Sequence, residues 1–295
     1  VDAATWDRWR RVRLEPPDKP DAVLENGGRT HRLFWGDTHV HSVLSPDAEG
    51  EVDELAHFAR DLAGLDVFAL TDNDYYPHKA LTEPEWRMLQ NFAEHFTEAG
   101  RFVFFPGYEF TYHRGDLDPD FNHRSILFPR AGPLLRRIDE DADSDRKMLA
   151  RLRAAGGMAY PHHCTYALVD PGTEWNVEVC SSWRVCIEET DFTLRQLRAG
   201  ARIGFVGSSD THRLVPGLGG ARTGLWAEAL TPEALFAAYR ARRVLATQGR
   251  NVAIDLRVAG HPCGASARAD GPPRIDLRVE APAVIAFAEV LRDGK

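Results

Sequence analysis

Between residues 33 and 212 the chain repeats one pattern: a short apolar run gives way to a cluster of histidines or carboxylates. Leu33-Phe34-Trp35 leads into Asp37-Thr38-His39-Val40-His41-Ser42. Later runs lead into Thr71-Asp72-Asn73-Asp74, Gly107-Tyr108-Glu109, Asn122-His123, Pro161-His162-His163 and Ser209-Asp210-Thr211-His212. Helix-like segments separate these runs. Glu51–Ala63 carries Val52, Leu55, Phe58, Ala59 and Leu62 on one face and stops at Gly64; Glu83–Ala99 stops at Gly100. Ser144 and Thr231-Pro232-Glu233 open further helices, and Asp191–Ala199 is another. Strand-then-helix order predicts parallel strands in a barrel or open α/β sheet, where functional residues gather at the C-terminal strand ends. All the clusters would then meet on one rim. Val177–Val179 breaks the pattern, since it carries Glu178 but no evident ligand.

The flanks read differently. Residues 1–32 are polar and proline-bearing and read as an arm on the domain surface, anchored by Trp6 and Trp9. The barrel is expected over 33–249. Beyond it, Val252, Ile254, Leu256 and Val258, then Ile275, Leu277 and Val279, alternate with polar residues, which predicts a small antiparallel β element over 250–295.

Bulk properties narrow the function. A net charge of -8 argues against nucleic acid as a partner. The longest nearly apolar stretch, Ala281 to Leu291, is too short to span a bilayer. A cytoplasmic protein is expected, with an upstream leader left open because the first residue is Val1. Four cysteines do not make a disulfide scaffold; a Cys180–Cys186 pair is one option, and Cys164 beside His163 is a candidate soft ligand.

Two histidines at i and i+2 on a strand point the same way and can grip one ion. His39, His41, Glu109, His123, His162, Asp210 and His212 offer imidazole nitrogens and carboxylate oxygens. That mixture suits zinc, manganese or iron and is too rich in nitrogen for calcium or magnesium. Seven such groups exceed the needs of one ion, so two to three divalent transition metal ions are expected, with Glu109 able to bridge two of them.

His39-x-His41, Ser45-Pro46-Asp47, Leu70-Thr71-Asp72, Glu109, His123, Pro161-His162 and Asp210-x-His212 together resemble the polymerase and histidinol phosphatase (PHP) superfamily of metal-dependent phosphoesterases. Gly219–Gly249 resembles a PHP-like branch with a C-terminal extension. The resemblance implies a distorted (β/α)7 barrel with up to three metals. Its first metal would take His39, His41, Glu109 and Asp210; its second Glu109, His123 and His162; its third Asp47 and His212. The family pattern has a histidine where this chain has Asn73, which leaves the third site weaker or completed by Asp72 or Asp74. His163 is an alternative to His162. The implied reaction is phosphoester hydrolysis by a metal-bridged hydroxide on a small anionic or phosphorylated substrate. Arg124, Arg213 and Arg222 are candidate anion-binding residues, and His113 is a candidate acid for the leaving group. Rival readings are an amidohydrolase-like C–N or C–O hydrolase, a metal-dependent lyase, and a non-catalytic binding module.

Overall fold

A computed structural model describes residues 18–292 apart from 77, 112–122, 163–166, 187–190 and 250. The chain opens with a hairpin, β1 (Val23–Asn26) against β2 (Arg29–Asp37). Residues 23–32, expected to be an arm, therefore extend the sheet; Gly27 and Gly28, both at positive φ, make the turn. There follow α1 (Val52–His57), which runs on through a π-helical turn at Phe58–Leu62, then β3 (Val67–Leu70). A small hairpin, β4 (Tyr75–Tyr76) and β5 (Lys79–Ala80), precedes α2 (Glu83–Phe96) and β6 (Val103–Phe110). Next come β7 (Arg124–Leu127), α3 (Asp145–Ala154), β8 (Met158–Pro161), β9 (Asn176–Cys180), α4 (Asp191–Arg198) and β10 (Gly204–Gly207). The domain closes with β11 (Ala221–Ala227), α5 (Pro232–Arg240) and β12 (Val244–Gln248).

The main sheet has the order β12-β11-β2-β3-β6-β7-β8, with β1 at its side. β9 and β10 pair in parallel as a separate ribbon. That ribbon meets both ends of the main sheet: Ala159 on β8 bridges Glu174 just before β9, and Thr223 on β11 bonds both the amide and the carbonyl of Gly207 on β10. The result is a curled, mixed α/β sheet. The expectation of parallel strands throughout is corrected. β2, β3 and β6 are parallel, but β7 runs antiparallel to both neighbours and β11 antiparallel to β2 and β12. Gly107 permits the tight β6–β7 approach, since a Cβ there would lie 2.7 Å from the Ile126 carbonyl oxygen.

Successive residues of the central strands enter opposite cores. Phe68, Phe104 and Tyr108 pack outward against Leu55, Trp86 and Leu149 of the helices. Val67, Ala69, Phe105 and Leu127 pack inward with Tyr160, Val206, Leu225 and Tyr239. Burial on both faces explains why these strands read as unbroken apolar runs. The helix starts expected at Ser144 and Thr231 are present, each hydroxyl accepting a backbone N–H three residues on. The period-two segments form a three-stranded antiparallel sheet of β13 (Ala253–Val258), β14 (His261–Pro262) and β15 (Ile275–Glu280). Cys180 is a buried free thiol, so the Cys180–Cys186 pair is not formed; burial pushes that thiol up to about 12. No helix among the described residues is long and apolar enough to cross a membrane.

Candidate metal centre

β2 ends at Asp37, whose buried carboxylate accepts the amides of Ser209 and Gly217. This ties the start of the His-x-His segment to the loop after β10. The two segments then run side by side: His41 donates its amide to the Thr211 carbonyl at 3.0 Å, Asp210 donates its own to the His39 carbonyl at 2.8 Å, and Val40 bridges Thr211. Asp210 adopts φ 50, a left-handed conformation that few residues other than glycine take. With its backbone so held, its Oδ1 lies 3.4 Å from His39 Nε2 and 3.5 Å from His41 Nε2.

The outer nitrogens of both imidazoles are held as well. His39 Nδ1 is 2.9 Å from Glu178 Oε2, and His41 Nδ1 is 2.8 Å from Ser45 Oγ. Each ring therefore turns its Nε2 inward, and the two Nε2 atoms stand 3.3 Å apart. Glu109, from the end of β6, enters from the opposite side. Its Oε2 is 3.1 Å from His41 Nε2 and 3.6 Å from His39 Nε2. Its Oε1 meets His123 Nδ1 and lies 3.7 Å from His162 Nε2. The His162 ring centroid is 4.2 Å from that of His39. Two sets of donors result, His39–His41–Asp210 and His39–Glu109–His162, each with its ligand atoms within 4.8 Å of one another and every residue buried.

The electrostatics match a cation's place. Burial lowers the His41 pKa, but bonds to Asp210 and Glu109 outweigh it and push it up to about 9. His39 is opposed by burial too, yet Asp210 and Glu178 raise it well above the usual imidazole range. Against a burial cost of their own, Glu109 is drawn well below the carboxylate range by His123, His162 and His39, and Asp210 by His39 and His41. Fixed carboxylates facing inward imidazole nitrogens form a donor set that one or two divalent ions fit.

A third cluster lies toward solvent. His212 stacks on His41 with centroids 4.2 Å apart and an interplanar angle of 20°. Its Nε2 is 3.6 Å from Asp47 Oδ1. Asn73 faces the centre from behind, its amide donating to Thr111 Oγ1 at 2.9 Å and to Glu109 Oε2 at 3.4 Å. The alternatives for that position are corrected. The Asp72 carboxylate accepts both the amide and the hydroxyl of Ser42 and of Ser45, clamping the turn after His41. Asp74 accepts the amides of Thr111 and Arg137, and burial pushes it up to about 7.

The arginine expectations change most. Arg124 is fully buried on β7, ion-paired to Glu174 at 2.8 Å and Asp145 at 2.7 Å, with a further bond to the Ala167 carbonyl. Its fork is engaged inside the fold and not turned to the mouth. Arg222 is likewise buried against Asn251 and the Gly217 carbonyl. Arg213 is exposed and paired to Glu49. His113, His163 and Cys164 lie outside the described residues, as do Trp6 and Trp9. Sequence reasoning passed over Glu178; its signal was a carboxylate inside an apolar strand that ends at the same rim.

No family model and no curated protein matches the chain. Among solved structures, it is similar to a two-domain protein containing a predicted PHP-like metal-dependent phosphoesterase from Bacteroides vulgatus, at 18% identity and a TM-score of 0.57 over 81% of this chain and 68% of that one. A weaker likeness, 16% identity and a TM-score of 0.33 over 60% of this chain and 87% of the other, is to an amidohydrolase from Chromobacterium violaceum with bound sulfate and no metal. The first likeness shows that the chain has a PHP-like fold.

Proposed function

We propose that this protein is a metal-dependent hydrolase of PHP type that cleaves phosphoesters of small molecules. The observation that carries the reading is the convergence of His39, His41, Asp210, Glu109 and His162 from separate strand ends on one buried point. In this reading His39, His41 and Asp210 would hold one ion and His123 and His162 a second, with Glu109 available to both. Asp47 and His212 frame a third, more open position, with Asn73 at its back. The (β/α)7 description belongs to the same reading.

Divalent ions held by these residues would supply Lewis-acid chemistry, making water more acidic and offsetting phosphoryl charge. The chain's own residues prepare for that role. Glu178 and Ser45 fix the rotation of the two strand imidazoles, so their Nε2 atoms stay aimed without a search. Asn73 donates to Glu109 Oε2 at 3.4 Å and braces that carboxylate. No protein nucleophile is required. On the solvent side the site is lined by His212, whose ring is partly exposed.

The test is elemental analysis of purified protein, followed by turnover assays on aryl phosphates, carboxyesters and amides after loading with zinc or manganese. Bound or acquired metal together with phosphoester turnover supports the proposal. Cleavage confined to esters or amides moves the protein to carbonyl chemistry, and no metal uptake at all overturns it.

A further inference from the structure

The described tryptophans Trp35, Trp86, Trp175 and Trp226 are buried, at 9% exposure or less, whereas Trp183 is 62% exposed. It stands at the rim, on the turn that follows β9. An indole left in water forgoes the largest apolar gain any side chain offers, so its position calls for a reason. It is also not loose. The Trp183 amide donates to Ser181 Oγ at 3.2 Å, Ser181 donates to the Arg184 carbonyl at 2.9 Å, and Ser182 donates to the Ser209 carbonyl at 2.9 Å. The indole Nε1–H itself donates to the backbone carbonyl of Asp210 at 2.9 Å. The ring is thus pinned to the segment that carries a candidate metal ligand.

Its neighbours complete the picture. The Trp183 ring meets His212 edge-on, with centroids 5.8 Å apart at 87°. His212 in turn stacks on His41. Aromatic surface therefore runs from the buried donors to solvent and ends in a fixed, accessible indole. A substrate whose phosphoryl group sits among the donors and whose remainder extends outward along His212 meets that indole.

We propose that Trp183 is a specificity-determining platform that stacks a flat ring on the leaving group, so that the preferred substrates are phosphoesters of ring-bearing alcohols or phenols. The proposal rests on the phosphoesterase reading for the phosphoryl end and on Trp183 alone for the ring.

Calorimetry on the metal-loaded protein separates the two. The probes are phenylphosphonate against methylphosphonate, and benzohydroxamate against acetohydroxamate, which bind metal without being phosphoester mimics. The wild type should prefer the ring-bearing member of each pair by roughly tenfold, the scale of one aromatic stack. Trp183→Ala should bring that ratio near one, and Trp183→Phe, which keeps a ring but loses the N–H, should retain most of it. Ring preference among hydroxamates with no phosphonate binding would end the phosphoester reading and leave the platform standing. Equal affinities within both pairs, or Trp183→Phe behaving as Trp183→Ala, would overturn the platform; the latter would show that the indole serves only to hold Asp210. Failure of every probe to bind would overturn both.

Discussion

Glu178 Oε2 lies 2.9 Å from His39 Nδ1, and both side chains are buried. The contact fixes the tautomer that leaves Nε2 free to ligate and raises the basicity of that nitrogen. Glu178→Gln keeps the shape and removes the charge. Its expected effect is a loss of about 10–100-fold in metal affinity or activity, as for other carboxylates behind a ligating histidine. Metal titration of the variant checks this; an unchanged affinity would contradict it.

Glu109→Gln should damage kcat/KM more than Asp47→Asn. Glu109 touches His39, His41, His123 and His162, so its charge serves both candidate ions. Asp47 is half-exposed and meets only His212 among these imidazoles. A loss of about 100-fold or more is expected for the first, above that of an outer partner, and markedly less for the second. Equal losses would break the assignment of Glu109 as the bridge.

His162→Ala should abolish turnover and leave the fold standing. The two cores hold many fully buried large side chains, each worth about 1.5–3 kcal/mol, so the metals are not what folds the domain. The variant should melt cooperatively while its metal content falls. Full activity would remove His162 from the site, and gross unfolding would make it structural.

Arg124→Met should behave in the opposite way to a substrate-contact variant. The change leaves Glu174 and Asp145 buried without their shared cation, at a cost of about 3–5 kcal/mol. A large drop in thermal midpoint is expected; an intact midpoint with a raised KM would return Arg124 to substrate binding.

The chelator-treated protein should show a pH signature from His41. Its folded pKa of about 9 lies above the ordinary 6.5, so the folded state holds a proton that the unfolded state releases. This contribution to stability is full below pH 6.5 and is lost as pH rises toward 9. Metal affinity should climb over the same window, because ligation displaces that proton. Chemical denaturation and metal titration from pH 6 to 9 measure both.

Much of this was legible in the sequence. The His39-x-His41 and Asp210-x-His212 pairs and Glu109 announce themselves because each follows an apolar run, and strand ends on one rim bring such residues together. His123 instead precedes its strand, and the antiparallel direction of β7 carries that start to the same rim. Strand direction was not legible. Nothing in Arg124–Leu127 or Ala221–Ala227 marks these strands as antiparallel, since burial on both faces removes the alternation that would have shown it. Nor was the fate of the arginines: Arg124 neighbours His123 in sequence, yet adjacent strand residues point to opposite faces, so a ligand's neighbour is directed away from the site. Glu178 and Asp72 were overlooked as supports for the same kind of reason, because a support is defined by what it touches across the fold.

The hydrogen bond from the Ser209 amide to the Asp37 carboxylate spans 172 residues of chain. A polypeptide emerging from synthesis presents His39 and His41 long before Asp210 exists, and Glu178 comes late as well. The two histidines on their own hold an ion weakly and without selectivity. A complete donor set would therefore form only once the sheet has curled and the loop after β10 has docked. In the proposed reading, any choice among ions would then be made by a finished pocket and not by a nascent strand.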